Sequence, residues 1–358
     1  MRGRFLRTRR HLRLTVAVLA ATTLTSLTAV TPATAQTSPH QAIPLPITTA
    51  YDVESSGDRV FVSGGETSTD VVVATATGEI VGTLPNLPGP TDLLVSNDRR
   101  TLYVALPTAN AIAAFDTGSL LEISRYDTGA GDCPSSLAQT GQFLWFGYGC
   151  DQWGGNIGRI NLNHQPAVVT LGVVARDFYE GPLLTAAVGN PEVLLAGQRS
   201  VSPASVYAYG VGADGNLSLV SENDWEAVGS NLIDIALDPT GTTLYTASGR
   251  PYVVQAFPLA DISTPSQTFA TGAYPTAVEL SRDGTRVAAG ADAYYDPDVF
   301  VFNADGTQVT VLELGQLLVD GGLAWSLNGN RLYAVSATPS WAGPPVPATL
   351  HVVRVPAA

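Results

Sequence analysis

Seven copies of one strand–turn–strand phrase, spaced roughly 40 to 50 residues apart, predict an all-β fold: a seven-bladed β-propeller of four-stranded blades. Two further observations point the same way. Apolar residues alternate with small or polar ones at the strand period of two, and no stretch beyond the leader sustains a helical period. The clearest copy is residues 231–249, NLIDIALDPTGTTLYTASG, an apolar run, the turn Asp238-Pro239-Thr240-Gly241, and a second run. Proline presets φ for such a turn, and glycine carries no Cβ penalty.

The copies start near residues 51, 91, 135, 183, 232, 276 and 322. Strong ones end their first run at Ser96-Asn97-Asp98, Ser281-Arg282-Asp283-Gly284 and Leu327-Asn328-Gly329. The copy at 183 is the weakest. A third and often a fourth run follow, joined by Gly-containing hairpin turns such as Asp214-Gly215 and Asp305-Gly306.

In chain order, residues 1–35 read as an export signal. Six arginines precede an apolar stretch, and Ala33-Thr34-Ala35 offers a cleavage site. Thr8-Arg9-Arg10 fits a twin-arginine signal as well as the general secretory route. The apolar stretch is too short and too threonine-rich for a membrane anchor, so no membrane insertion is expected. Residues 36–358 then form one propeller domain. Residues 42–48, apolar and proline-punctuated, suit an edge strand. The last copy supplies only three strands, so this N-terminal segment is expected to pair into it and close the ring. His40 is placed in the leading segment, His164 in a turn and His351 in the last strand.

Removing the signal leaves 12 basic residues (18 − 6) against 31 acidic ones, a formal charge of −19, with no lysine. That balance argues against nucleic acid as a partner and against anionic membrane surfaces. A monomer is the expectation. Cys133 and Cys150, the only cysteines, are expected to form a structural disulfide, since an exported chain is oxidised and both sites fall on one face of the disc. The short loop it closes puts its contribution near about 3 kcal/mol.

Propeller geometry places the loops entering the innermost strands, and those between second and third strands, on one face. The longest and most aromatic loops fall there. They supply Tyr148, Asp151, Trp153, Tyr179, Glu180, Tyr252, Tyr274, Tyr294, Tyr295, Asp296 and Trp341 as candidate ligand-binding residues. Aromatic faces beside carboxylates suit a glycan, a peptide or a protein ligand. Asp52, Asp92 and Asp234 begin innermost strands at equivalent positions and would face the channel. Oxygen donors of this kind suit Ca²⁺ or Mg²⁺; the bland alternative is that each carboxylate bonds nearby backbone N–H groups. No other cofactor is indicated. H-E-x-x-H, G-x-S-x-G, P-loop and Cys/His metal patterns are all missing, so no catalytic residues are assigned.

The turns at 238–246, 281–288 and 327–335 resemble the repeat unit of YVTN-type bacterial β-propellers. The segments Gly131-Asp132-Cys133-Pro134, Leu144-Trp145-Phe146-Gly147-Tyr148-Gly149-Cys150 and Thr271-Gly272-Ala273-Tyr274-Pro275 are similar to the propeller region of exported actinobacterial Ig-like domain repeat proteins. The resemblance implies the propeller fold and brings no agreed catalytic residues. The reading that follows is a secreted binding or interaction module. Two alternatives stand beside it: a metal-assisted hydrolase or lyase of gluconolactonase type using channel carboxylates, and a structural cell-surface module.

Overall fold

The recurring turn has a hydrogen-bonded basis. In the sixth blade, Ser281 Oγ accepts the Arg286 N–H at 3.0 Å and donates to Asp283, whose carboxylate takes the Thr285 N–H. Ser96 and Asp98 repeat this in the second blade, and Ser326 with Asn328 in the seventh. In the fifth blade the chemistry is exchanged. Asp238 replaces the serine, accepts from Thr243 N–H at 2.6 Å, and contacts the Thr240 hydroxyl that replaces the aspartate. The next residue is left-handed in all four, with φ of 69° at Gly284, 65° at Gly329, 74° at Gly241 and 65° at Arg99. Glycine adopts that geometry without strain; Arg99 does not.

The computed structural model describes residues 40–223, 227–292, 297–339 and 341–356. The expected export signal and the candidates Tyr294, Tyr295 and Asp296 lie outside these residues. Strands form seven four-stranded antiparallel sheets, each taken in chain order except one. We number the blades one to seven by their innermost strands: Val53–Ser55, Leu93–Val95, Pro134–Thr140, Leu183–Ala187, Ser230–Leu237, Pro275–Leu280 and Leu317–Trp325. The exception is blade seven. Its outermost strand is His40–Pro44, paired antiparallel to Thr349–Arg354 with Ala42 opposite His351.

The N-terminal segment therefore closes the ring as expected, though the pairing strand begins at His40 and ends at Pro44. His40 thus belongs to the closing strand, and its ring lies 5.2 Å from that of His351. Residues beyond Pro44 continue the seam in another way: Leu45 N–H donates to Ala348 O, and Ala348 N–H to Ile47 O.

The core is distributed rather than central. Seven clusters of buried side chains each draw on two neighbouring blades. Leu244, Phe257 and Leu195 share one, and Phe61, Leu102 and Leu84 another. The cluster at the closing seam joins Val60, Val72, Tyr333, Leu350 and Leu45. A blade's two apolar faces are thus covered only when both neighbours are present, which is why strands inside the blades read as apolar on both sides. Buried ring edges find partners: Trp145 Nε1 donates to Thr140 Oγ1, and the Tyr333 hydroxyl to Ala76 O. Cys133 and Cys150 are joined in a disulfide that ties the start of blade three to its second-to-third-strand loop. Among the described residues no helix is long and apolar enough to cross a membrane.

Candidate functional site

The innermost strands surround an axial cavity of about 610 Å³. Its walls are set by strand periodicity. Asp52 and Asp92 stand just before the innermost strands of blades one and two, Asp234 holds the equivalent position within that of blade five, and side chains two positions further on face the same lumen. Those second positions hold Glu54 in blade one and Glu279 in blade six, both lining the cavity.

The three aspartates are clasps between blades. Asp52 accepts the Val53 N–H at 2.7 Å and the Leu93 N–H of blade two at 2.7 Å. Asp92 accepts the Leu137 N–H of blade three at 2.6 Å. Asp234 accepts from Ile235 at 2.8 Å and from Val278 of blade six at 2.9 Å. In blade three Ser136 stands at this position, and its hydroxyl accepts the Leu184 N–H of blade four at 2.9 Å. A side-chain acceptor here meets the N–H of the residue that follows the equivalent position in the next blade.

Burial among one another raises these acids. Desolvation, then the neighbouring Asp92 and Glu54, hold Asp52 well above the usual carboxylate range. Desolvation lifts Asp92 to about 8, and Asp234 and Glu54 to about 7, against the backbone donors that oppose it. Glu279 is raised by desolvation and by the charges of Glu54 and Asp234. All five keep part of their surface toward the lumen. Among the described residues no three His, Cys, Asp or Glu side chains converge as the donor set of a metal ion. A Ca²⁺ or Mg²⁺ ion at Asp52, Asp92 and Asp234 would compete with backbone N–H groups for their oxygens.

One cation spans the upper mouth. Arg199 leaves the second strand of blade four, pairs with Glu180 at 3.2 Å, and donates to the Tyr51 hydroxyl of blade one at 3.2 Å. Ser200 Oγ donates to the same Glu180 oxygen at 2.7 Å. Burial works against the guanidinium charge, but Tyr51, Glu180 and Asp92 outweigh it. At the lower mouth, Arg99 donates to Ser55 O of blade one at 2.9 Å and feels the like charge of Arg282.

The described aromatics among the expected candidates sit in loops at this end of the blades and do not line the cavity. Trp153, 66% exposed, meets Tyr179 edge-on with ring centroids 5.4 Å apart. Tyr252 and Tyr274, 49% and 51% exposed, form a second edge-on pair at 5.3 Å. The pairs are equivalent. In each, a residue from the second-to-third-strand loop of one blade packs on a residue entering the next. Trp153 and Tyr274 hold left-handed backbone, φ 63° and 53°, which is costly for a bulky residue. Trp341 is 77% exposed in the proline-rich loop of blade seven. Tyr148 is half-buried, its hydroxyl accepting the Gly172 N–H at 3.0 Å, and Asp151 is exposed beside the disulfide. Glu180 is the carboxylate that orients Arg199. Phe178, from the same aromatic loop as Tyr179, is fully buried against Tyr207.

Arg199, Glu54 and Glu279 were not among the expected site residues. The loop rule that selected Tyr252 also selects Arg199, and the period of two from Asp52 selects Glu54. Glu279 carries a weaker signal, because Ala277 occupies the aspartate position ahead of it.

No protein-family model and no curated protein matches the sequence. Solved structures do match the fold. A chain in the crystal structure of a mitotic checkpoint complex superposes with a TM-score of 0.68 at 15% identity, covering 97% of this chain and 99% of that one. A chain of Kuenenia stuttgartiensis hydrazine synthase gives 0.62 at 16% identity, covering 87% and 97%. At such identities the likeness establishes the β-propeller fold alone.

Proposed function

We propose that this protein is an exported, non-catalytic binding module of the YVTN-like propeller type, taking a glycan or peptide ligand on its upper face. The observation that carries the reading is the two equivalent edge-on aromatic pairs, Trp153–Tyr179 and Tyr252–Tyr274, in which Trp153, Tyr252 and Tyr274 are exposed and Tyr179 is half-buried. Three of the four residues stay exposed in the free protein, and two of the four sit on left-handed backbone. Exposed rigid aromatics around a concave mouth are the anchors that sugars and extended peptides use. Glu180 and Asp151 add acceptors for hydroxyls or amides beside them. The disulfide and the strongly acidic surface fit an exported protein, and export with cleavage after Ala35 belongs to this proposal.

The test is a thermal-shift series on the purified protein with cell-wall and plant glycans, peptides, Ca²⁺, Mg²⁺ and EDTA. A ligand that binds only the native state raises the apparent melting temperature by mass action. A glycan or peptide shift that Trp153→Ala removes supports the reading. A shift with divalent cation that EDTA reverses, and none with glycan or peptide, overturns it in favour of carboxylate-based hydrolase or lyase chemistry. No shift with any of them favours a structural module.

A further inference from the structure

The channel mouth differs in chemistry from the aromatic face. Arg199 is fixed at two points, by Glu180 and by Tyr51, and its Nη2 makes no hydrogen bond among the described residues. The two left-handed residues Ser200 and Asn231, φ 62° and 56°, line the same cavity. Asn231 is exposed there, and its side-chain amide has no partner among the described residues. Asp320, from the innermost strand of blade seven, also lines the cavity with no hydrogen bond to a described residue, and it lies within the field of Arg199. Asp234 lies within that field too.

A guanidinium nitrogen and an amide therefore face the lumen as donors, with carboxylates close by. A simple anion placed against Arg199 would meet Asp92, Asp234 and Asp320. A simple cation placed against those acids would meet Arg199. A molecule carrying both charges satisfies both sides and adds no net charge to a poorly solvated channel, where an unpaired charge is most costly. The cavity of about 610 Å³ is of ligand size.

We propose that the upper half of the channel binds a small zwitterion, a free α-amino acid or a short peptide. Its carboxylate is taken by Arg199 Nη2 and the Asn231 amide, and its ammonium group by Asp320, whose oxygens carry no hydrogen bond to a described residue. This site is independent of the aromatic pairs. If Arg199 is only a strut between blades four and one, no such ligand binds.

Calorimetric titration of the purified protein with free L-amino acids and dipeptides at millimolar concentration tests it. Each ligand is compared with its N-acetyl derivative, which lacks the ammonium, and its methyl ester, which lacks the carboxylate. Saturable binding of at least one zwitterion is expected, weakened roughly tenfold or more when either charge is removed. Comparing free amino acids with dipeptides shows which form supplies the charges. Arg199→Gln is expected to abolish binding. Because that variant also frees Glu180, Asp320→Asn serves as the second: it breaks no hydrogen bond among described residues and should weaken binding roughly tenfold. Absence of binding by every zwitterion overturns the proposal, as does equal binding of the N-acetyl derivative or an unchanged affinity in Asp320→Asn. Glycan or peptide capture lost in Trp153→Ala is a separate result, so failure here leaves the aromatic-face reading standing.

Discussion

Asp234 of blade five accepts the backbone N–H of Val278 in blade six at 2.9 Å while its other oxygen takes the N–H of Ile235. One carboxylate thus satisfies a donor in each of two blades, at the channel end of their shared apolar face. Removing it should leave both N–H groups short of a partner. Asp234→Ala is expected to lose about 1–3 kcal/mol in urea unfolding, and Asp234→Asn less, since the amide oxygen still accepts. An alanine variant as stable as the parent would reduce the clasp to a bystander.

The closing strand carries the ring. Without residues 36–48, the strand Thr349–Arg354 would present a bare edge, and Leu45, Ile43 and Ile47 would leave the cluster between blades seven and one. Loss of several kcal/mol should lower the melting temperature by about 10 °C or more. A melting temperature unchanged by the truncation would contradict closure by this strand.

His351 is buried at that seam, bonded through Nε2 to Ser336 Oγ at 2.8 Å, with Nδ1 unpartnered among the described residues and His40 beside it. Desolvation, and then the His40 charge, push its pKa down to about 4. A histidine depressed on folding contributes stability above its unfolded pKa near 6.5, and that stability is lost as pH falls toward 4. The melting temperature should therefore fall between about pH 6.5 and 4, with an upper limit of about 3 kcal/mol from this group. His351→Gln should flatten that limb of the profile.

The channel acids act in the opposite direction. Asp92 at about 8, and Asp234 and Glu54 at about 7, stand above their unfolded values. Their contribution is fully present below about pH 4 and is lost as pH rises through 7 to 8. Stability should decline from mildly acidic to mildly alkaline solution, and Glu54→Gln should lessen the decline. A melting temperature that climbs steadily to pH 9 would show these carboxylates to be well solvated.

The fold was legible because its repeated turn is local chemistry. Ser281 with Asp283, and Asp238 with Thr240, build the same hydrogen-bonded corner from neighbouring residues, so the signal survives in one sequence. The closing strand was legible by counting, since the last blade lacked a fourth run. Its position was off by a few residues because His40 and Gln41 are polar and exposed in an edge strand, where apolar patterning says little. The site was less legible. The aspartates were found at the right positions, but their role as clasps depends on which N–H the next blade presents. Arg199 meets Tyr51 across 148 positions, a contact no local pattern encodes.

The central claim is that Trp153 and Tyr274 are held out for a ligand. The most direct measurement replaces both with glycine and follows stability and binding together, using whichever glycan or peptide shifts the parent protein. Relief of left-handed backbone and loss of the ring contacts are each about 1 kcal/mol and opposed, so stability should change little. Binding should weaken by roughly tenfold or more. Undiminished affinity in a stably folded double variant would contradict the claim.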